Sequence, residues 1–181
     1  MKSFLFILFV TAFVTINYSQ GKNTNPTTKI KDFGQVYQIA EPDLLLDKNT
    51  KYKVIFDIYS DEGGEKKTNA SVNTVARFIN MHVENDIKPE NLDIVVVLHG
   101  AATKNSLSDK AYKEKFKINN PNSKLIEALT EDNVKVYVCG QSFTHRKYSK
   151  EELSNNVKMS LSALTALVYY QSKGYQLITF N

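Results

Sequence analysis

Cys139, the chain's one cysteine, closes the apolar run Val134-Lys135-Val136-Tyr137-Val138 and is followed by Gly140. That places a thiol at a strand end with a flexible backbone step beyond it. His99 stands at the matching point of a second run, Leu92-Asp93-Ile94-Val95-Val96-Val97-Leu98, and is followed by Gly100. In open parallel sheets, ligands bind outside the carboxyl ends of the strands. The two runs therefore offer a thiol and an imidazole toward one edge. The chemistry implied is that of an activated thiol, because thiolate is the nucleophilic form and a nearby imidazole, cation or helix N-terminus lowers its pKa.

His99 is the first candidate for that activation and, as a base, for thiol-dependent catalysis. Its plainer role is to bond a backbone group at the strand exit. His145 and Arg146 are further candidates, although they lie in the polar loop Phe143-Thr144-His145-Arg146-Lys147, where surface placement is the ordinary expectation. His82 falls off the core-facing positions of its helix and takes no role. Cys139 and His99 are thus the site residues. One cysteine with three scattered histidines is a poor metal set, so no metal is expected. There is no G-x-S-x-G elbow, phosphate-binding loop or dinucleotide fingerprint, so no cofactor is expected either.

Residues 1–19 read as a signal peptide. Met1-Lys2 gives a positive start, 4–16 is almost wholly apolar, and Asn17-Tyr18-Ser19-Gln20 supplies a cleavage region. The apolar stretch is shorter than the roughly 20 residues a membrane span needs. A periplasmic or secreted address follows, with no membrane association after cleavage. A lone cysteine in an exported protein has no internal disulfide partner, so it is buried, paired externally or reactive. The glycine and the polar Gln141-Ser142 beside it favour a reactive, accessible thiol over a core position.

The 181 residues carry a net charge of +4, one unit of it from Lys2 in the leader. The lysines of 104–117 are interrupted by Asp109 and Glu114, which describes a solvated helix face and argues against a nucleic-acid partner. What remains after the leader suffices for one domain with a core. Residues 20–50 form a polar leader and edge segment, with a hairpin or edge strand over 33–46, and 51–181 form a single domain.

The elements that position the site follow from periodicity. Strands are expected at 52–59, 92–98, 134–138, 157–159 and 175–180. Helices are expected at 71–83, from a capping box at Ser106 and Asp109 through Phe116, from Pro121 with Leu125, Ile126 and Leu129 facing the sheet, and at 161–170. The alternation predicts a parallel sheet of about five strands with right-handed crossovers, covered on both sides: a three-layer α/β/α sandwich. The 161–170 helix is apolar on nearly every side, so part of it should meet another subunit, and a homo-oligomer is expected.

Three blocks taken together resemble one family. They are His99-Gly100-Ala101-Ala102 at a strand end, the 134–141 block ending Cys139-Gly140-Gln141, and the tail 163–168 followed by Gln171 and Lys173-Gly174-Tyr175. Over 51–180 the chain resembles the DsrE/DsrF-like proteins of sulfur metabolism. The resemblance implies a flavodoxin-like sandwich that oligomerises. It also implies that Cys139 accepts sulfur as a persulfide and passes it on, with a sulfur donor or acceptor protein as partner. Against that carrier role stands a non-catalytic binding module in which Cys139 merely lines the strand-end crevice.

Overall fold

The computed structural model describes residues 28–180; the expected signal peptide lies outside them. Among the described residues there are five strands: β1 (Tyr52–Ile58), β2 (Leu92–Leu98), β3 (Lys135–Cys139), β4 (Lys158–Ser160) and β5 (Gln176–Thr179). All pair in parallel, in the order β4-β3-β2-β1-β5. The helices are α1 (Ala70–Glu84), α2 (Asp109–Phe116), α3 (Ser123–Glu131), α4 (Gly140–His145) and α5 (Ala163–Ser172).

Side-chain alternation divides the core in two. Val54, Phe56, Ile58, Val96, Leu98, Val136 and Val138 pack with the apolar faces of α1, α2 and α3 and with Phe143 of α4. Ile55, Val95, Val97 and Cys139 pack on the opposite face against Ala163 and Ala166 of α5 and against Tyr175. The three-layer α/β/α architecture expected from the alternation of elements is therefore present. Its asymmetry follows from handedness. The chain moves outward from β1 through β2 and β3 to β4, so right-handed crossovers put α1 to α4 on one side. It then returns across three strands to β5, and the same handedness sends α5 to the other side.

Local chemistry sets the boundaries. Asn69 caps α1, its Oδ1 accepting from the amides of Ser71 at 2.9 Å and Val72 at 3.4 Å. The stripe Val72, Val75, Ala76 and Ile79 is buried as its spacing predicts. Several expectations shift. The cap of α2 is Ser108, whose Oγ accepts from the Ala111 amide, while the Ser106 hydroxyl donates to the Thr103 carbonyl within a 3-10 segment, Gly100–Ser106. The α3 helix starts after Asn122 rather than at Pro121. The stretch read as a polar loop after Cys139 winds into α4.

No strand or hairpin forms over 33–46 among the described residues. That segment is pinned instead by Asn80 of α1, which is fully buried. Its Oδ1 accepts from the Ile30 amide at 2.8 Å, and its Nδ2 donates to the carbonyls of Ile30, Phe33 and Gly34 at 3.0–3.2 Å. Asn80→Ala leaves these backbone groups unpaired, and the expected loss is about 2–4 kcal/mol in urea unfolding.

His82 also departs from expectation, because it is buried. Its ring packs 4.0 Å from that of Phe78 and edge-on to Tyr52, with Nδ1 2.7 Å from the Phe78 carbonyl. Burial lowers its pKa, and the carbonyl contact only partly opposes this. The unfolded chain then binds the proton more readily than the folded one. Stability should be full above about pH 6.5 and fall as pH drops through the depressed folded value. His82→Phe should flatten that part of the stability–pH curve, and a slope unchanged by the substitution would count against this assignment.

Candidate functional site

The carboxyl ends of β1, β2 and β3 build one edge. Ile55 of β1, Val95 and Val97 of β2, and Cys139 of β3 face the α5 layer. By alternation, Asp57 and His99 share that face. The β2–β3 register pairs Leu98 with Val138. His99 stays extended (φ −149°, ψ −174°), so one further step sets it beside Cys139 on strands about 4.8 Å apart. Carboxylate, imidazole and thiol thus occupy three successive strands of one edge.

The imidazole is held from the β1 side. His99 Nε2 lies 2.6 Å from Asp57 Oδ1, and the Tyr59 ring meets it edge-on at 5.2 Å. Among the described residues no hydrogen bond joins His99 to Cys139, and Nδ1 has no partner. Gly100 follows with φ +52°, where a Cβ would lie 2.4 Å from the Tyr59 ring, so glycine is required for this turn. The exit loop of β1 closes over the same edge. The Asp61 carboxylate is fully buried with Lys104 Nζ 2.9 Å from Oδ2, close enough to pair but off the direction of a hydrogen bond.

The thiol is held from its own side. Cys139 is 4 % exposed, and this corrects the expectation of an accessible sulfur. The cause is its orientation: as the last residue of β3 it points under α5, against Ala163, rather than out with Gly140. It also caps α4, its Sγ accepting from the Ser142 amide at 3.4 Å. Burial pushes the thiol up, but donation from the Ser142 hydroxyl and from the amides of Ser142, Ala163 and Gln141 outweighs it. The pKa falls below that of an ordinary thiol. Gly140 permits this fit, since a Cβ there would stand 2.7 Å from the Ser160 carbonyl oxygen.

Ser142 links the two halves: its Oγ lies 3.4 Å from the Gly100 amide, and Arg146 Nε donates to the Gly100 carbonyl at 3.0 Å. The activating role considered for Arg146 from sequence is thus taken up by a backbone tie. His145 is exposed at the end of α4. Asp57 and Ser142 were not singled out in the sequence. Asp57 carried a readable signal, a carboxylate interrupting an apolar strand one step before its end. Ser142 did not, because its position depends on α4 forming.

A thiol with a lowered pKa beside a carboxylate-held imidazole, at the carboxyl edge of a parallel sheet ordered β4-β3-β2-β1-β5, describes an α/β/α sandwich with a thiol at its strand-end edge. Residues 53–180 match the family model for the DsrE/DsrF-like family. The chain belongs to that family. Among solved structures it is similar to a protein of unknown function, MTH1491 from Methanobacterium thermoautotrophicum. The two share 21 % identity and a TM-score of 0.50, covering 71 % of this chain and 99 % of that one. It is also similar to the ychN protein from E. coli, at 19 % identity and a TM-score of 0.53, again covering 71 % of this chain and 99 % of that one. Both likenesses concern the fold. No curated protein matches.

Ser142→Ala removes a hydroxyl donor from the sulfur and the acceptor of the Gly100 amide. Thiolate absorbance followed against pH should show the midpoint of Cys139 move upward, with the fold retained. An unmoved midpoint would mean that the hydroxyl does not hold the thiolate.

Proposed function

We propose that this protein is an exported sulfur carrier that holds a persulfide on Cys139. The observation that carries the reading is the set of hydroxyl and amide donors gathered on the sulfur, which favours its anion despite burial. Family membership supports the same chemistry. The apolar stretch at 4–16 supports export, to the periplasm or outside the cell.

The transfer balances without an external oxidant. The Cys139 thiolate attacks the outer sulfur of a donor persulfide, R–S–SH. A new S–S bond forms at Cys139, the donor's S–S bond breaks, and R–S⁻ leaves and takes up the proton lost by the Cys139 thiol. Transfer to an acceptor thiol is the reverse reaction. The partners are therefore thiol- and persulfide-bearing proteins. In this reading His99, held by Asp57 one strand away, takes the thiol's proton.

Burial of Cys139 favours the alternative reading, a binding module in which the thiol only lines the edge. The two separate on one experiment. Intact-mass measurement after exposure to a small-molecule persulfide should show a gain of one sulfur atom, reversible by reductant and absent in Cys139→Ser. No gain by the folded protein, with modification only after denaturation, would reject the carrier and leave the module.

A further inference from the structure

Helix α5 is built inside out. Its buried, sheet-facing positions carry the small Ala163 and Ala166, with Leu167 and Tyr170 only partly buried beside them. Its outward stripe carries the large side chains Leu164 and Val168, continued by Leu161 just before the helix and flanked by Tyr169, each between 57 % and 77 % exposed. Amphipathic surface helices normally place their large apolar residues on the core side. A stripe of this kind marks an interaction surface.

The same chain holds a second, separate apolar element that no other described residue covers. Residues 37–46 form an arm tied down at both ends. Before it, Val36 is buried and Arg77 Nε donates to the Gln35 carbonyl at 3.1 Å. After it, Lys48 pairs with Asp86 at 2.7 Å and Asn91 Nδ2 donates to the Lys48 carbonyl at 3.1 Å. Between these ties Tyr37, Ile39, Leu44 and Leu45 are 68–81 % exposed. No strand or helix organises them. Ordering both ends of an arm whose apolar side chains face water is unfavourable unless something covers them.

The two surfaces also match in charge. From 35 to 46 the charged residues are Glu41 and Asp43, while from 161 to 175 Lys173 stands without any carboxylate. The arm is tied to α1, whose apolar side packs on the face of the sheet opposite α5.

We propose that the 37–46 arm of one copy docks on the Leu161–Leu164–Val168–Tyr169 stripe of a second copy, so that assembly proceeds by arm exchange. Each copy then gives one arm and receives one. This adds apolar area toward the roughly 800 Å² per partner of a stable interface. Acidic residues in the arm disfavour an anionic lipid surface as the alternative cover. The inference stands apart from the thiol chemistry, since Cys139→Ser should leave assembly unchanged.

Light scattering on the purified protein at micromolar concentration should give a mass of two or more copies. The arm variant Leu44→Ser/Leu45→Ser and the helix variant Leu164→Ser/Val168→Ser should each be monomeric, with unchanged circular dichroism because all four positions are exposed. Mixed in equal amounts they should form a one-to-one dimer, because one intact arm and one intact stripe remain. A photoreactive residue in place of Leu45 should crosslink to the 161–173 peptide of another copy. A monomeric wild-type protein, an arm variant that keeps the wild-type mass, crosslinks confined to other segments, or arm-dependent binding of a monomer to anionic vesicles would each overturn the proposal.

Discussion

The return of the chain from β4 across three strands to β5 is the constraint on which the site depends. A right-handed crossover in that direction must lie on the face opposite α1 to α4. It therefore brings the start of α5 to the carboxyl ends of β3 and β4 from one side, while α4 starts there from the other. Neighbouring strands whose following helices leave to opposite faces open a crevice at their carboxyl ends. Cys139 occupies that point. Its sulfur takes donors from Gln141 and Ser142 at the start of α4 and from Ala163 at the start of α5. Neither helix supplies the full set, so the thiol's environment is a property of the topology.

The same arrangement explains why a buried thiol is not an ordinary core thiol. Removing Cys139 from water opposes ionisation, and in an apolar pocket that effect would dominate. Here the walls nearest the sulfur are amide N–H groups and a hydroxyl, which stabilise the anion where it forms and need no rearrangement. The Asp57–His99 pair adds a titratable group one strand away. A carboxylate on one ring nitrogen fixes the orientation of the imidazole, and Ser142 ties this half of the edge to the other through the Gly100 amide. The required glycine at position 100 and the close approach of Gly140 to the Ser160 carbonyl show how little room separates these parts.

Much of this was legible in the residues. Alternation in 52–59, the continuous apolar run of 92–98 and the stripe Val72, Val75, Ala76 and Ile79 specify β1, β2 and α1, because burial on one face imposes a period and burial on both imposes a run. The order of elements specifies a parallel sheet, and the two strand-end side chains mark its functional edge. What stayed hidden depends on contacts distant in sequence. Cys139 looked exposed because its neighbours Gly140, Gln141 and Ser142 are polar or small, whereas its burial comes from Ala163. His82 looked peripheral on its helix, but Tyr52 and Phe78 close over it. Asp57 gained meaning only when His99 arrived beside it. The apolar excess of 161–170 was visible, but Ala163 and Ala166 proved to be the buried positions, with Leu167 and Tyr170 partly buried beside them, while Leu161, Leu164 and Val168 face outward.

The fold lowers the pKa of a buried thiol. Its most direct measurement is the rate of Cys139 alkylation by a small neutral reagent against pH, in the folded protein and in the denatured chain. The folded-state profile is expected to have its midpoint below that of the denatured chain, near 8.5 for an ordinary thiol. A midpoint at or above the denatured value, or alkylation that occurs only on unfolding, would contradict it.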